Sequence, residues 1–258
     1  MEKDGSGIIM KAVVVEASPK RDGNSVTLVK ELIKGLQVNS EAEVSELYLE
    51  DLDIEFCRGC WNCLKLGEPG CVIDDDMSWI YLRLNEADVI VLATPIYWWH
   101  INAQMKRFID RLEGLLDGNG PNNLSGRTLV VVLTYIAEDP DGVYLAIQMF
   151  RSIAAWGGME LKVIRYNSTG GHVSEAPGKL REAYDLGYSL RDTGRGELTV
   201  PCPVDGCKGL FASTDALARH LASGAGPTHS DWRRRNGFED LGMKNDDLWR
   251  GIAEKILG

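Results

Sequence analysis

Five times between Lys11 and Arg191 a short run rich in β-branched residues is followed by a longer stretch with apolar residues at helical spacing, and this alternation restricts the fold more than any other feature of the chain. The strand-like runs are Lys11 to Glu16, Glu43 to Tyr48, Asp88 to Thr94, Thr128 to Thr134 and Leu161 to Tyr166. The helical stretches are Asn24 to Gly35, Asp76 to Glu86, Ala103 to Leu115, Val143 to Trp156 and Ala176 to Arg191, several of them opening on Asn, Ser or Asp as candidate caps. Nearly continuous apolar strands belong in a sheet covered on both faces. The expected class is therefore α/β, a doubly wound five-stranded parallel sheet whose ligands lie at the carboxyl ends of the strands.

The formal charge of −10 over 258 residues argues against a surface that wraps nucleic acid or an anionic membrane, so any anionic ligand has to be held locally. No apolar run reaches the roughly 18 to 20 residues a bilayer span needs, and Met1 to Lys11 lacks a signal-peptide core; a cytoplasmic protein is expected. The six cysteines fall into two tight groups, Cys57/Cys60/Cys63/Cys71 and Cys202/Cys207, a grouping that suggests metal ligation more than disulfides in a reducing compartment. Nearly all the net negative charge lies before residue 196, which places a boundary near Thr193 to Thr199. Three parts are expected: residues 1–195, a small module at 196–232, and a tail at 233–258 with a short helix.

Ala17 to Thr27 lies between the first strand and the first helix. Ser18, Asn24, Ser25 and Thr27 supply hydroxyls and amides at a helix N-terminus, with Lys20 beside them, a set that can hold a phosphate; the same residues can also serve as a polar loop that merely caps the helix. The third strand runs into Ala93 to Asn102, whose Pro95, Ile96, Tyr97 and Trp98 offer apolar contact and backbone hydrogen bonds to a flat aromatic ligand in the same layer of loops. Trp99 and His100 are read instead as core or dimer-contact residues.

These segments resemble the NAD(P)H-dependent FMN reductases of flavodoxin-like fold. Ala17-Ser18-Pro19-Lys20 is similar to their G-S-P-R loop with Ala for Gly and Lys for Arg. Asp75-Asp76-Met77, Thr94-Pro95-Ile96-Tyr97-Trp98 and Met105-Lys106-Arg107-Phe108-Ile109-Asp110-Arg111 match their later signatures over roughly the first three quarters of the chain. The resemblance implies FMN, with phosphate contacts from Ser18, Lys20, Asn24, Ser25 and Thr27 and ring contacts from Pro95, Ile96, Tyr97 and Trp98. Lys20 lacks the bidentate fork of an arginine.

The iron-sulfur branch of that family is more similar still, since Cys57-x2-Cys60-x2-Cys63-x7-Cys71 resembles its compact four-cysteine motif. The spacing suits a [4Fe-4S] cluster, the last ligand returning through a turn at Gly67 to Gly70; reduced structural thiols and zinc are the competing readings. Two such cofactors imply electron transfer from NAD(P)H or a reduced carrier to an acceptor, with ferredoxin and quinone as the candidate partners. The cofactors carry the redox chemistry, so no side-chain acid or base is nominated, and His100 and His172 receive no role.

The second cysteine group continues into Phe211, Leu217 and His220, the pattern of a two-Cys two-His zinc finger of ββα form, with Cys202, Cys207, His220 and His229 as ligands and an unusually long gap before His229. A structural or protein-docking finger is expected; nucleic acid is a disfavoured partner because Arg219 is the sole strong base reader on its helix. Leu248, Ile252 and Ile256 form a helical stripe suited to packing on the same chain or a sister subunit, and an oligomer of like chains is expected. Against the electron-transfer reading stands a redox-sensing regulator whose finger binds a partner.

Overall fold

In a computed structural model of the chain the described residues are 9–38, 42–66, 68–115, 124–136 and 141–190, then 200–205, 207, 210–211, 217–218, 221–222, 227–236, 238 and 246–257. Strands β1 (Lys11–Glu16), β2 (Glu43–Tyr48), β3 (Val89–Tyr97), β4 (His100–Ile101), β5 (Thr128–Tyr135) and β6 (Glu160–Asn167) alternate with α1 (Asn24–Gln37), α2 (Met77–Glu86), α3 (Ala103–Arg111), α4 (Asp141–Gly157) and α5 (Pro177–Leu190). The five long strands lie parallel in the order β2-β1-β3-β5-β6, and β4 turns back antiparallel onto the end of β3. The order reverses between β1 and β3, which puts the topological switch point at the mouth these two strands share.

The pleat explains the layers. Val13 and Val15 of β1, with Leu92 and Val131, face α2, α3 and α4, whereas Ala12 and Val14, with Val91 and Val132, face α1 and α5. Both faces of the central strands are sealed, as their unbroken apolar sequence requires. Edge strand β2 is half exposed, which is why it tolerates Glu43 and Glu46. Helices α1 and α5 cross backbone to backbone. A Cβ on Gly35 would meet Tyr184 O at 2.1 Å and one on Gly187 would meet Leu32 O at 2.0 Å, so the crossing is reserved for glycine on both sides.

Three local features depart from the periodicity reading. Helix α1 is capped by Gly23, not by Asn24 or Ser25, and no side chain closes the cap. Helix α3 ends at Arg111 and tightens into a 3-10 turn, Leu112–Leu115. Strand β4, with only two residues, is too short to leave a periodic trace.

In the C-terminal part, β7 (Val200–Pro201) and β8 (Leu210–Phe211) pair antiparallel, followed by α6 (Pro227–Arg235) and α7 (Asp246–Leu257). Val204, Leu217, Leu221, Trp232, Trp249 and Ile252 pack into one cluster. The tail helix α7 thus shares its core with the cysteine-bearing hairpin. His229 sits in the first turn of a separate helix, α6, beyond the helical residues 217–218 and 221–222. His220 and the expected boundary at Thr193 to Thr199 lie outside the described residues.

Candidate functional site

Asn102 builds the floor of the site. Buried in the N-cap of α3, it accepts from Met105 N at 3.1 Å and from Thr94 Oγ1 at 3.1 Å through Oδ1, while its Nδ2 donates to Ala17 O. Ala17 N in turn donates to Ala93 O at 2.9 Å. One amide side chain thereby locks the end of β1, the end of β3 and the start of α3 into a single rigid edge, and a satisfied buried amide of this kind fixes a unique arrangement.

Above that floor the loop Ser18 to Gly23 folds on itself. Ser18 Oγ donates to Lys20 O at 3.0 Å and accepts from Lys20 N at 3.1 Å, and Gly23 N donates to Lys20 O at 3.1 Å. A Cβ on Gly23 would stand 3.0 Å from Ser18 Oγ, so the cradle is closed to larger residues without a shift. The first intrahelical bond of α1 runs from Thr27 N to Gly23 O, and among the described residues no group accepts from the amides of Asn24, Ser25 or Val26. Three N–H groups at the positive end of a helix dipole form a natural anion seat.

Not every predicted phosphate ligand points there. Thr27 Oγ1 donates back to Gly23 O at 3.1 Å, and the residue does not line the cavity. Asn24 Oδ1 accepts from Val173 N at 2.7 Å, tying α1 to the 3-10 turn Val173–Glu175. His172 supports the loop from the same side. Its Nδ1 accepts from Ser174 N at 3.2 Å, so Nε2 carries the proton and donates to Asp22 O at 2.9 Å.

Ser18, Lys20, Asn24, Ser25, Pro95, Ile96 and Tyr97 line one cavity of about 450 Å³, closed on the far side by Thr134, Tyr135 and Ile136 after β5. A second hollow of about 360 Å³ shares Ile96, Tyr135 and Ile136 and adds Trp98, Trp99 and Val143. Trp98 therefore lies beside the phosphate cavity and not in it, and both it and Trp99 are exposed. Trp99 is no core residue, which corrects that half of its sequence reading. Trp98 and Trp99 both adopt left-handed backbone, φ 47° and 61°, in the two-residue turn between β3 and β4. Bulky residues resist that conformation, although this hairpin geometry demands it. Helix α4 presses against the turn, since a Cβ on Gly142 would come within 2.6 Å of Trp99 Cα.

The cysteine loop leaves β2 and is pinched at its neck by a buried ion pair. Arg111 forks onto Asp75, Nη1 to Oδ2 at 2.5 Å and Nη2 to Oδ1 at 3.1 Å, and Nη1 also donates to Glu55 O at 2.8 Å. Asp75 accepts as well from Glu55 N at 2.8 Å and Met77 N at 3.0 Å. Burial would raise the Asp75 carboxyl, but the Arg111 fork and these two amides outweigh it and hold the group below its usual range. Stability from this pair is thus present above the unfolded carboxylate value and lost as pH falls through the lower folded one. Removing one partner would strand a buried charge at about 3–5 kcal/mol. Two signature segments, Asp75-Asp76-Met77 and the Arg111 end of α3, owe their pairing to this contact.

Beyond the neck Cys57 and Cys60 are exposed, Cys63 is buried and Cys71 is half-buried. Gly59 N donates to Cys57 Sγ at 3.5 Å, and Gly59 and Trp61 take left-handed backbone to make the tight turns. The returning strand is held where Gly70 N donates to Gly114 O at 2.7 Å. These four thiols are not gathered to single-ion spacing: among the described residues the cluster that tight is Cys202, Cys207 and His229.

With this geometry in view, the comparisons decide the family. The profile of the NADPH-dependent FMN reductases matches residues 10–168. The chain belongs to that family. Iron-sulfur flavoproteins of Archaeoglobus fulgidus and Methanocaldococcus jannaschii are 37% and 32% identical to it over 149 and 122 residues, alignments that take in 57% and 47% of this chain. They cover 64% and 62% of those relatives, so the chain spans a little under two thirds of their length. An NAD(P)H:quinone oxidoreductase from Methanothermobacter marburgensis superposes with a TM-score of 0.53 at 18% identity, over 70% of this chain and 97% of that one. An FMN-dependent NADH-azoreductase from Bacillus anthracis str. Ames Ancestor, solved in complex with FMN, gives 0.53 at 14% identity over 70% and 100%. At such identities the likeness is one of fold.

In this NADPH-dependent FMN reductase family member, sequence reasoning passed over Asn102, His172, Asp75 and Arg111 as parts of the site. Asn102 had a signal, an Asn directly before a helix. His172 had none, because its partner Asp22 lies 150 residues away. A further buried acid, Glu16 at the end of β1, lines a separate cavity of about 380 Å³ with Arg21, Lys30 and Tyr48. Burial and then the neighbouring charge of Glu46 push its carboxyl up to about 7. Arg21 lies over the Tyr48 ring at 4.1 Å and pairs with Asp51, which ties the phosphate loop to the segment after β2.

Proposed function

We propose that this chain is an FMN-dependent oxidoreductase of the electron-transfer kind, taking electrons from NAD(P)H or a reduced carrier such as ferredoxin and delivering them, through FMN and a [4Fe-4S] cluster, to an acceptor such as a quinone. One observation carries the flavin part: Asn24 and Ser25, whose N–H groups open α1, line the same cavity as the apolar edge Pro95 to Tyr97, an anion seat beside an apolar edge at one strand mouth. Its volume falls within the range of small-molecule sites. When bound, FMN would supply two-electron chemistry toward a nicotinamide and one-electron chemistry toward the cluster. The chain's own part is to seat the phosphate on Asn24 and Ser25 N–H with Lys20 and Ser18 at hand, to present backbone at Pro95 to Tyr97 to the ring edge, and to line the remaining wall with Tyr135 and Ile136.

Cys57, Cys60, Cys63 and Cys71 are the proposed ligands of the cluster. The reading is supported by the N–H directed at Cys57 Sγ, by the loop neck fixed on Arg111, and by the iron-sulfur flavoproteins among the relatives. Association of like chains is part of the same proposal, since Tyr97, Trp98, Trp99 and Ile136, which line the two cavities, are exposed apolar side chains. Exposed thiols in the cysteine loop favour a reducing, cytoplasmic setting.

The experiment is anaerobic reconstitution followed by iron analysis and NAD(P)H oxidation with quinone or ferredoxin present. About four iron atoms per chain are expected, with loss of that iron in Cys60→Ser while bound flavin stays. Flavin-supported turnover with no iron in the wild type would remove the cluster from the account.

A further inference from the structure

Far from the cysteine loop in sequence, Cys202, Cys207 and His229 meet at one point: their ligand atoms all lie within 4.8 Å of one another, and Cys202 Sγ stands 3.7 Å from His229 Nε2. We infer that these three residues hold a structural zinc ion that fastens the C-terminal module, independently of any flavin. The sequence alone could offer spacing; the structure adds convergence from two different elements. Cys202 follows β7 directly, the turn closed by Cys207 N donating to Val204 O at 3.0 Å brings the second thiol round, and α6 delivers His229.

Distance supports one ion. Tetrahedral zinc with Zn–S of about 2.3 Å and Zn–N of about 2.0–2.1 Å sets its sulfur and nitrogen ligands about 3.5 Å apart. The pair at 3.7 Å is already at that separation. Charge agrees, because two thiolates cancel a dication and the imidazole adds none, leaving a neutral centre where His229 is only 2% exposed. A disulfide between the two cysteines would explain neither the imidazole in the cluster nor its burial.

Packing gives the ion a purpose. Cys202 and Cys207 lie against the apolar cluster that includes Val204, Leu217, Leu221, Trp232, Trp249 and Ile252. Small cores gain most from a covalent or metal staple, and zinc joining hairpin to helix would add binding free energy that becomes folding free energy.

The test uses the full chain, purified with zinc under reducing conditions. About one zinc per chain is expected, retained in Cys60→Ser and lost in Cys207→Ser and His229→Ala, with the visible spectrum of the last two unchanged. Cobalt in place of zinc should give strong visible ligand-field bands and near-ultraviolet thiolate-to-metal charge transfer. Should the variants fail to fold, a mercurial titration of the wild type reads the same site, releasing zinc in step with a red shift of tryptophan emission from Trp232 and Trp249 while flavin absorbance holds. Wild type without zinc or cobalt, zinc retained in Cys207→Ser, or a Cys202–Cys207 disulfide in the intact mass would overturn the assignment. Loss of flavin binding alone would leave it standing.

Discussion

Glu16 shows what a single side chain can reveal about this site. It ends β1, is 5% exposed, and stands one residue before the phosphate loop. Its folded carboxyl titrates near 7 against an ordinary value of 4.5, so the folded state keeps a proton that the unfolded chain has lost between those values. Stability from this residue therefore declines as pH rises from 4.5 towards 7 and stays lowered above it. Glu16→Gln should match the wild type in urea unfolding near pH 4.5 and exceed it near pH 8 by about 1–3 kcal/mol. A difference that does not change between the two pH values would show that folding leaves the Glu16 carboxyl unshifted. Other residues carry position more than charge: Asn102 joins three chain segments, and His172 steadies Asp22 from 150 residues away.

Among the described residues the α1 and α5 pair is the most extensive contact between helices, and two glycines make it possible. Gly187→Ala places a methyl group 2.0 Å from Leu32 O, which backbone cannot yield without moving a helix. Overpacking of this kind costs about 1–3 kcal/mol or more, read as a lower midpoint in thermal or urea unfolding. Because α1 also presents the phosphate amides, the same variant should weaken flavin binding; unchanged stability would mean that the helices slide apart freely. The elements were also the most legible level in the sequence. Strands β1 and β2 begin and end where their apolar and β-branched runs do, and the phosphate loop and the Pro95 to Tyr97 edge were readable as neighbours from the rule that strand mouths share one layer. What escaped has a physical cause in each case. Thr27 could not be told from a ligand, because its hydroxyl chooses Gly23 O only once the helix turns; Asn24 is claimed by Val173, a tertiary partner; β4 is two residues long. His229 was expected after a loop and lies in a helix of its own, since Pro227 opens α6 where glycine and proline had suggested a break.

At the scale of the whole molecule, the proposed anion seat of this acidic chain is made of backbone dipoles instead of a basic patch, and the sheet brings the start of α1 to the same cavity as Pro95 to Tyr97. Among the described residues no helix is long and apolar enough to cross a membrane. The two sets of thiols differ in state, one partly exposed after β2 and one gathered on an imidazole near the C-terminus. The seat and the apolar edge together make the central claim, and flavin fluorescence titration compares them directly. FMN should bind and be quenched, while riboflavin, which has the same ring without the phosphate, should bind at least about 100-fold more weakly, about 2.7 kcal/mol. Equal affinity for the two, or none for FMN, would contradict the account.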